Sequence, residues 1–177
     1  MALIFVAFVS LLVAVFGVFF IILELYVGVI GNIKGAPFVP SKPQRIRTMV
    51  ELADIKEGTR AVDLGSGDGA ILLEAARHGA VATGIEMNPF LIPYARWRAK
   101  RNGLADRVTV IKGDIWDYPL QDAEVVFLYL LPKFLGKLKG KLTTELASGT
   151  LVVSNAFPVP GWTPIQEKDG VFLYRQK

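Results

Sequence analysis

The sequence has no cysteine and a single histidine, His78, among 177 residues. Disulfides, thiolate zinc sites and cysteine nucleophiles are therefore excluded. One histidine cannot build an imidazole metal cluster, and a Ser–His–Asp arrangement would need unusual partners. No metal site is expected. Charge is also sparse, at 20% of residues against 52% hydrophobic. The scarcity is local. Residues 2–23 carry no charge, every Lys and Arg lies at or after Lys34, and the other 155 residues hold all 36 charged groups. That remainder has the charge density of an ordinary globular domain, and the length suits one domain. The net charge of +4 is too weak to imply nucleic acid as a partner.

The uncharged run from Ala2 to Leu23 contains Ser10 as its only polar side chain. As a helix it would reach about 33 Å, enough to cross a hydrocarbon core of roughly 30 Å. A cleaved signal peptide fits less well, because no Lys or Arg precedes the run and no clear small-x-small site follows it. Lys34, Lys42, Arg45 and Arg47 come soon after. The positive-inside rule then expects a single-pass protein whose C-terminal domain is cytosolic, with residues 2–23 in contact with the bilayer. Glu24 would lie at headgroup level. In a prokaryote the membrane would be the plasma membrane; an organellar one is the alternative. The reading divides the chain into an anchor and juxtamembrane segment over 1–33, a linker over 34–42 and a domain over 43–177.

Behind the leader, Ser41 is a candidate cap for a helix over about 43–54, with Pro43 in its first turn. Apolar runs then alternate with helical patterns. Strands are expected at 60–64, 81–86, 108–111, 125–129 and 150–154, and helices at 69–78, 88–102 and 132–147. Lys168-Asp169-Gly170 between 164–167 and 171–174 signals a hairpin. The fold class is α/β: a Rossmann-like, doubly wound, mainly parallel sheet that ends in an antiparallel hairpin strand, preceded by a transmembrane helix. Tyr94 and Trp97 read as core or partly exposed packing residues of their helix, and Arg96, Arg98, Lys100 and Arg101 as a solvated face, with lipid headgroups and, less favoured, RNA as alternatives.

In such sheets ligands bind beyond the carboxyl ends of the strands. Asp63, Glu86 and Asp114 fall at three successive strand ends. After the first comes Gly65-Ser66-Gly67-Asp68-Gly69, which allows a tight turn and a close backbone approach before a helix N-terminus. Gly65, Gly67 and Ala70 also satisfy a loose dinucleotide pattern, so the loop alone is ambiguous. Two features separate the readings. Asp63 would repel a pyrophosphate and attract an ammonium. Asp114 can accept from an adenine amino group, with Ile115 and Trp116 flanking the ring. A ligand with an ammonium, a ribose diol and an adenine is implied, and S-adenosylmethionine has all three.

Taken together, Val62-Asp63-Leu64-Gly65-Ser66-Gly67-Asp68-Gly69, Gly84-Ile85-Glu86-Met87-Asn88-Pro89 and Asp114-Ile115-Trp116 resemble the cofactor motifs of seven-β-strand methyltransferases. With the apolar leader, Phe38-Val39-Pro40-Ser41 and Phe157-Pro158-Val159-Pro160-Gly161-Trp162, the chain is similar to the small membrane-anchored protein-lysine N-methyltransferases. Eukaryotic members of that group modify the c-ring protein of ATP synthase and the adenine nucleotide carrier. The resemblance implies methyl transfer from S-adenosylmethionine, leaving S-adenosylhomocysteine, to a lysine of a protein substrate embedded in the membrane. It implies that Asp63, Gly65, Ser66, Gly67 and Asp68 hold the methionine part and Glu86 the ribose. Asp114, Ile115 and Trp116 would hold the adenine, with Pro40, Ser41 and Met87 as further cofactor contacts. After the fourth strand the sequence Phe127-Leu128-Tyr129-Leu130-Leu131-Pro132 departs from the Asn-Pro-Pro-Tyr loop common in amino-group methyltransferases. Tyr129 and Leu130 are the candidates for orienting the target nitrogen. Phe38, Tyr129, Phe157 and Trp162 are the candidates for a desolvating wall. The alternatives are methylation of a lipid, quinone or other small molecule, and a tethered nucleotide-binding module without catalysis.

Overall fold

A computed structural model describes residues 1–34 and 38–177. The linker expected over 34–42 therefore lies partly outside the described residues. The chain divides into two compact units, Met1–Pro37 and Phe38–Lys177. The first is one helix, α1 (Ala2–Lys34). Its stretch Ile4–Ile22 has a mean hydropathy of 3.0, long and apolar enough to cross a membrane. The helix continues past the uncharged run, through Glu24 to Lys34.

The second unit runs α2 (Pro43–Leu52), β1 (Arg60–Leu64), α3 (Ala70–Arg77), β2 (Val81–Glu86), α4 (Leu91–Arg101), β3 (Val108–Lys112), β4 (Val125–Leu128), α5 (Pro132–Glu145), β5 (Leu151–Asn155), β6 (Gln166–Lys168) and β7 (Val171–Arg175). The seven strands form one sheet in the order β3-β2-β1-β4-β5-β7-β6. β1 to β5 are parallel, and β7 joins β5 and β6 antiparallel. The sheet thus has the expected doubly wound form with a closing hairpin. That hairpin turns at Asp169 and Gly170, both at positive φ, the pair that a two-residue turn matched to strand twist favours.

Central strands must be apolar on both faces. β4 is buried at all four positions, and β1 at all but Arg60. The edge strand β3 alternates instead, and β6, the other edge, is an exposed Gln-Glu-Lys. On one face, Ile46, Met49 and Val50 of α2 and Ile71 and Ala75 of α3 share a core with Ala61, Val125, Phe127, Val153, Val171 and Leu173. Beside it, Leu72, Leu73 and Ala76 of α3 meet Ile92, Ala95 and Ala99 of α4 over Ala82, Val108 and Val110. Right-handed crossovers that leave β1 and β4 in opposite directions put α5 on the other face. There α5 buries Phe134, Leu135, Leu138 and Leu142.

Two local expectations are corrected. Ser41 does not cap α2: the cap position is Lys42, without a side-chain hydrogen bond, and Ser41 Oγ instead accepts from Asn155 Nδ2 at 3.4 Å. α4 begins at Leu91 rather than 88, because the Asn88 side chain takes the Phe90 N–H at 2.9 Å in a local turn. Of the two readings of Tyr94 and Trp97, partly exposed packing holds: they are 48% and 51% exposed and stack on each other.

Candidate active site

The sheet's strand order reverses between β1 and β4, so a crevice opens beyond their carboxyl ends. The period-two alternation of β1 turns Asp63 to the side of α2 and α3, in register with Gly84 of β2. Gly84 has a specific reason. A Cβ there would lie 2.5 Å from Ser66 Oγ and 2.5 Å from Leu72 Cδ1, so only glycine lets Ser66 close over the strand. Gly65 and Ser66 both donate N–H to the Ile85 carbonyl, at 2.9 and 3.0 Å. Gly65, Gly67 and Gly69 all take positive φ. A Cβ on Gly67 would stand 2.6 Å from two carbons of the Phe38 ring. The segment before α2 therefore lies directly against the glycine loop.

Glu86 is held by three backbone amides. Its Oε2 accepts from Gly67 at 2.8 Å, and its Oε1 from Met87 at 2.9 Å and Asn88 at 2.7 Å. The β3 end is tied in through the Gly113 N–H, which donates to the Glu86 carbonyl at 3.0 Å. One oxygen of Asp114 accepts from the Trp116 N–H at 3.2 Å, and Ile115 is buried beside it. Asp68 is fully engaged: it accepts from the Ala70 N–H at 3.2 Å and pairs with Arg98 of α4.

Asp63 is the anomaly. It is 2% exposed, and among the described residues its Oδ2 is buried with no hydrogen-bond partner, as is Ser66 Oγ. Burial, together with the charges of Glu86 and Asp68, pushes its carboxyl from 3.8 up to about 8. A cation against a carboxyl buried in this way would favour its ionised form.

The other half of the crevice is formed by the ends of β4 and β5. Tyr129 is half-buried. Leu130 is buried, and its Cδ2 lies 3.6 Å from where a Gly65 Cβ would stand. Ser154 Oγ donates to the Phe157 carbonyl at 2.7 Å, and Val159 donates its N–H to the Tyr174 hydroxyl at 2.9 Å. Trp162 packs edge-on against Tyr174 at 5.8 Å. The segment 157–162 is thereby fastened to β7. Of the expected aromatic wall, Phe38 leans on Gly67 and Trp162 on Tyr174.

The family described as ANTKMT methyltransferase domain matches residues 63–166. A protein-lysine N-methyltransferase of Saccharolobus islandicus is 36% identical over 148 residues, covering 78% of this chain and 92% of that protein. The mouse adenine nucleotide translocase lysine N-methyltransferase is 38% identical over 130 residues, covering 73% of this chain but only 56% of its own length. The crystal structure of an RNA methyltransferase from Salinibacter ruber, in complex with S-adenosylhomocysteine, superposes with a TM-score of 0.73 at 42% identity. It covers 78% of this chain and 92% of that one. The chain belongs to the ANTKMT methyltransferase domain family. It is an S-adenosylmethionine-dependent methyltransferase.

The residues at the crevice fit the cofactor of this methyltransferase. The buried Asp63 oxygen suits an ammonium, and Glu86 and Asp114 stand at the next two strand ends. Two contributors escape a reading of sequence motifs. Asn155, 1% exposed at the end of β5, accepts from Arg45 Nη1 at 3.3 Å and donates to Ser41, joining α2 and its preceding segment to the end of β5. A polar residue at the end of an apolar parallel strand was its only signal. Arg98 reads as solvated from its basic neighbours; its partner Asp68 is thirty residues away.

Proposed function

We propose that this methyltransferase acts on the side-chain amine of a lysine in a protein substrate, and that the substrate is a membrane protein. The observation that carries the cofactor half is the buried, unpartnered carboxyl oxygen of Asp63. With Gly65, Ser66, Gly67 and Asp68, Asp63 would hold the amino-acid end of S-adenosylmethionine. Glu86 would hold the ribose hydroxyls, with Met87 beside it. Asp114, Ile115 and Trp116 would take the adenine, while Pro40 and Ser41 approach from the segment before α2. When bound, the cofactor supplies a sulfonium-linked methyl group, an electrophile that needs no further activation.

What remains for the chain is to present an uncharged amine in line with that methyl. A lysine in an apolar channel loses its proton more readily, because burial disfavours the ammonium. Tyr129, Leu130, Phe157 and Trp162, in the segments that follow β4 and β5, supply mostly apolar surface, with Phe38 beside the glycine loop. They orient the amine in this reading. Lysine as the acceptor is supported by the names of the archaeal and mouse relatives. The mouse relative's substrate, the adenine nucleotide translocase, is a membrane protein. The uncharged stretch of α1, residues 2–23, supports an anchor over residues 1–33, a connector over 34–42 and a catalytic domain from 43 onward. Lys34, Lys42, Arg45 and Arg47 favour the cytosolic side. An anchor raises the effective concentration of membrane substrates.

The test is transfer of radiolabelled methyl from S-adenosylmethionine into membranes of cells that lack this protein, with Glu86→Ala enzyme as control. A labelled polypeptide, absent with the variant and yielding methyl-lysine on hydrolysis, is expected. Label confined to the organic extract would favour a lipid or quinone. Label in RNA would align the chain with the Salinibacter relative instead.

A further inference from the structure

Helix α4 turns its aromatic residues away from the sheet. Its buried positions are Ile92, Ala95 and Ala99. Phe90, Tyr94 and Trp97 are 58%, 48% and 51% exposed. At helical spacing, positions 90, 94, 97 and 101 form one stripe, on the side opposite the buried one. A helix packed on a sheet ordinarily shows polar residues there. The Tyr94 and Trp97 rings stack at 5.8 Å, with Arg98 over Tyr94 at 5.8 Å and Arg101 over Trp97 at 5.3 Å. The helix carries Arg96, Arg98, Lys100 and Arg101 and no acidic residue. Among the described residues, only Arg98 of these four pairs with a carboxylate, Asp68.

We propose that this face docks on the headgroup layer of a membrane that contains anionic lipid. Trp and Tyr favour the membrane–water interface, where an apolar ring and a polar edge are both accommodated. Lys and Arg lay their stems on apolar surface while their charges reach phosphate. Each contributes about fivefold to binding at an anionic surface. Other occupants match less well. A second copy of the chain would bring two unneutralised basic clusters together. Single-stranded nucleic acid needs open ring faces on which bases stack, whereas Tyr94 and Trp97 cover each other and lie under arginines. Phe90 follows Glu86 by four residues, so the stripe starts at the rim of the cofactor crevice. A domain lying on α4 would bring that rim to the bilayer surface. This last step rests on the membrane substrate proposed above; the docking itself does not, and it does not require α1 to span.

The experiment uses the full chain with vesicles of phosphatidylcholine alone, or with added phosphatidylglycerol, each doped with a lipid spin-labelled near its headgroup. Tryptophan emission is read. In the anionic vesicles about a third of the emission should be quenched, the share of one tryptophan among three. Trp97→Phe should abolish that component, and Lys100→Ala with Arg101→Ala should weaken it. Quenching unchanged by Trp97→Phe, or independent of phosphatidylglycerol, overturns the proposal. So does competition for Trp97 by single-stranded RNA. Flotation with phosphatidylcholine alone scores α1 separately, so a failed anchor and a failed α4 face give different results.

Discussion

The state of Asp63 makes a prediction that pH can resolve. Its carboxyl titrates at about 8 in the folded protein and at 3.8 when solvated. Between those values the unfolded chain has released a proton that the folded chain keeps. The group's contribution is therefore whole below about pH 4, declines as pH rises, and is gone above about pH 8. Its slope in that window is about 1.4 kcal/mol per pH unit. From about pH 5 to pH 7.5 the full shift amounts to about 3 kcal/mol, an upper bound because relaxation and water entry ease the burial of a charge. Asp63→Asn keeps the shape and removes the titration. Subtracting its stability curve from that of the wild type isolates this one carboxyl from all others.

Urea unfolding of the full chain in detergent, followed by tryptophan emission, is the assay. Trp97, Trp116 and Trp162 all lie in residues 38–177, so the signal reports on the α/β unit. The difference between wild type and Asp63→Asn should fall by about 1–3 kcal/mol over that window and level off above about pH 8.5. A difference that stays flat from acid to alkaline pH would refute the argument that this carboxyl is buried without a partner. Binding supplies the second arm. If Asp63 pairs with the cofactor's ammonium it must ionise on binding, so wild-type affinity should rise with pH by up to about tenfold per unit between roughly pH 6 and 8. Asp63→Asn should bind more weakly and without that slope. A stability slope with no affinity slope would keep the burial and discard the ammonium role.

Other perturbations follow from the same geometry. Gly67→Ala puts a Cβ 2.6 Å from the Phe38 ring at a positive φ; calorimetry should show cofactor affinity reduced at least about tenfold, with a stability loss of about 1–2 kcal/mol. Gly84→Ala, whose Cβ would meet Ser66 and Leu72 at 2.5 Å, should cost about 1–3 kcal/mol in urea and weaken cofactor binding. Gly136→Ala in α5 meets nothing within 4 Å and should raise stability by about 0.5–1 kcal/mol; a loss would mean that this face is covered. Tyr174→Phe strands the Val159 N–H and should cost about 1–3 kcal/mol. It should lower turnover more than cofactor affinity, because the segment it releases lies on the acceptor side.

The parallel strands are legible because burial on both faces writes itself as continuous apolar runs. β1 and β2 have the expected bounds, and the rest of the sheet differs by a residue or two at the strand ends. Three helix starts are as legible: α2 and α5 begin at 43 and 132 as expected, and α3 within one residue. The caps are less legible. Asn88 and Ser41 both carry capping side chains, yet Asn88 closes a local turn with the Phe90 N–H, so α4 begins later, and a tertiary contact takes Ser41 to Asn155. Tyr94 and Trp97 read as packing residues because aromatic rings are usually covered; only the structure shows that their stripe opposes the buried one.

The two halves of the crevice differ in legibility for a chemical reason. The cofactor has fixed polar groups, an ammonium, a diol and an amino group on a ring, and these demand carboxylates at defined strand ends. Asp63, Glu86 and Asp114, the residues proposed to meet those groups, stand out in sequence for that reason. The acceptor side demands little of this kind. An uncharged amine attacking a good leaving group needs alignment and exclusion of water, which leucine, tyrosine, phenylalanine and tryptophan supply through shape. Shape leaves no fixed residue pattern. Asn155 illustrates the consequence: buried at the end of β5, it bonds to Arg45 of α2 and to Ser41 before it. It thereby couples the segment lying on the glycine loop to the strand end from which the residues 157–162 depart. Selection on the acceptor would act through such couplings, which sequence motifs do not display.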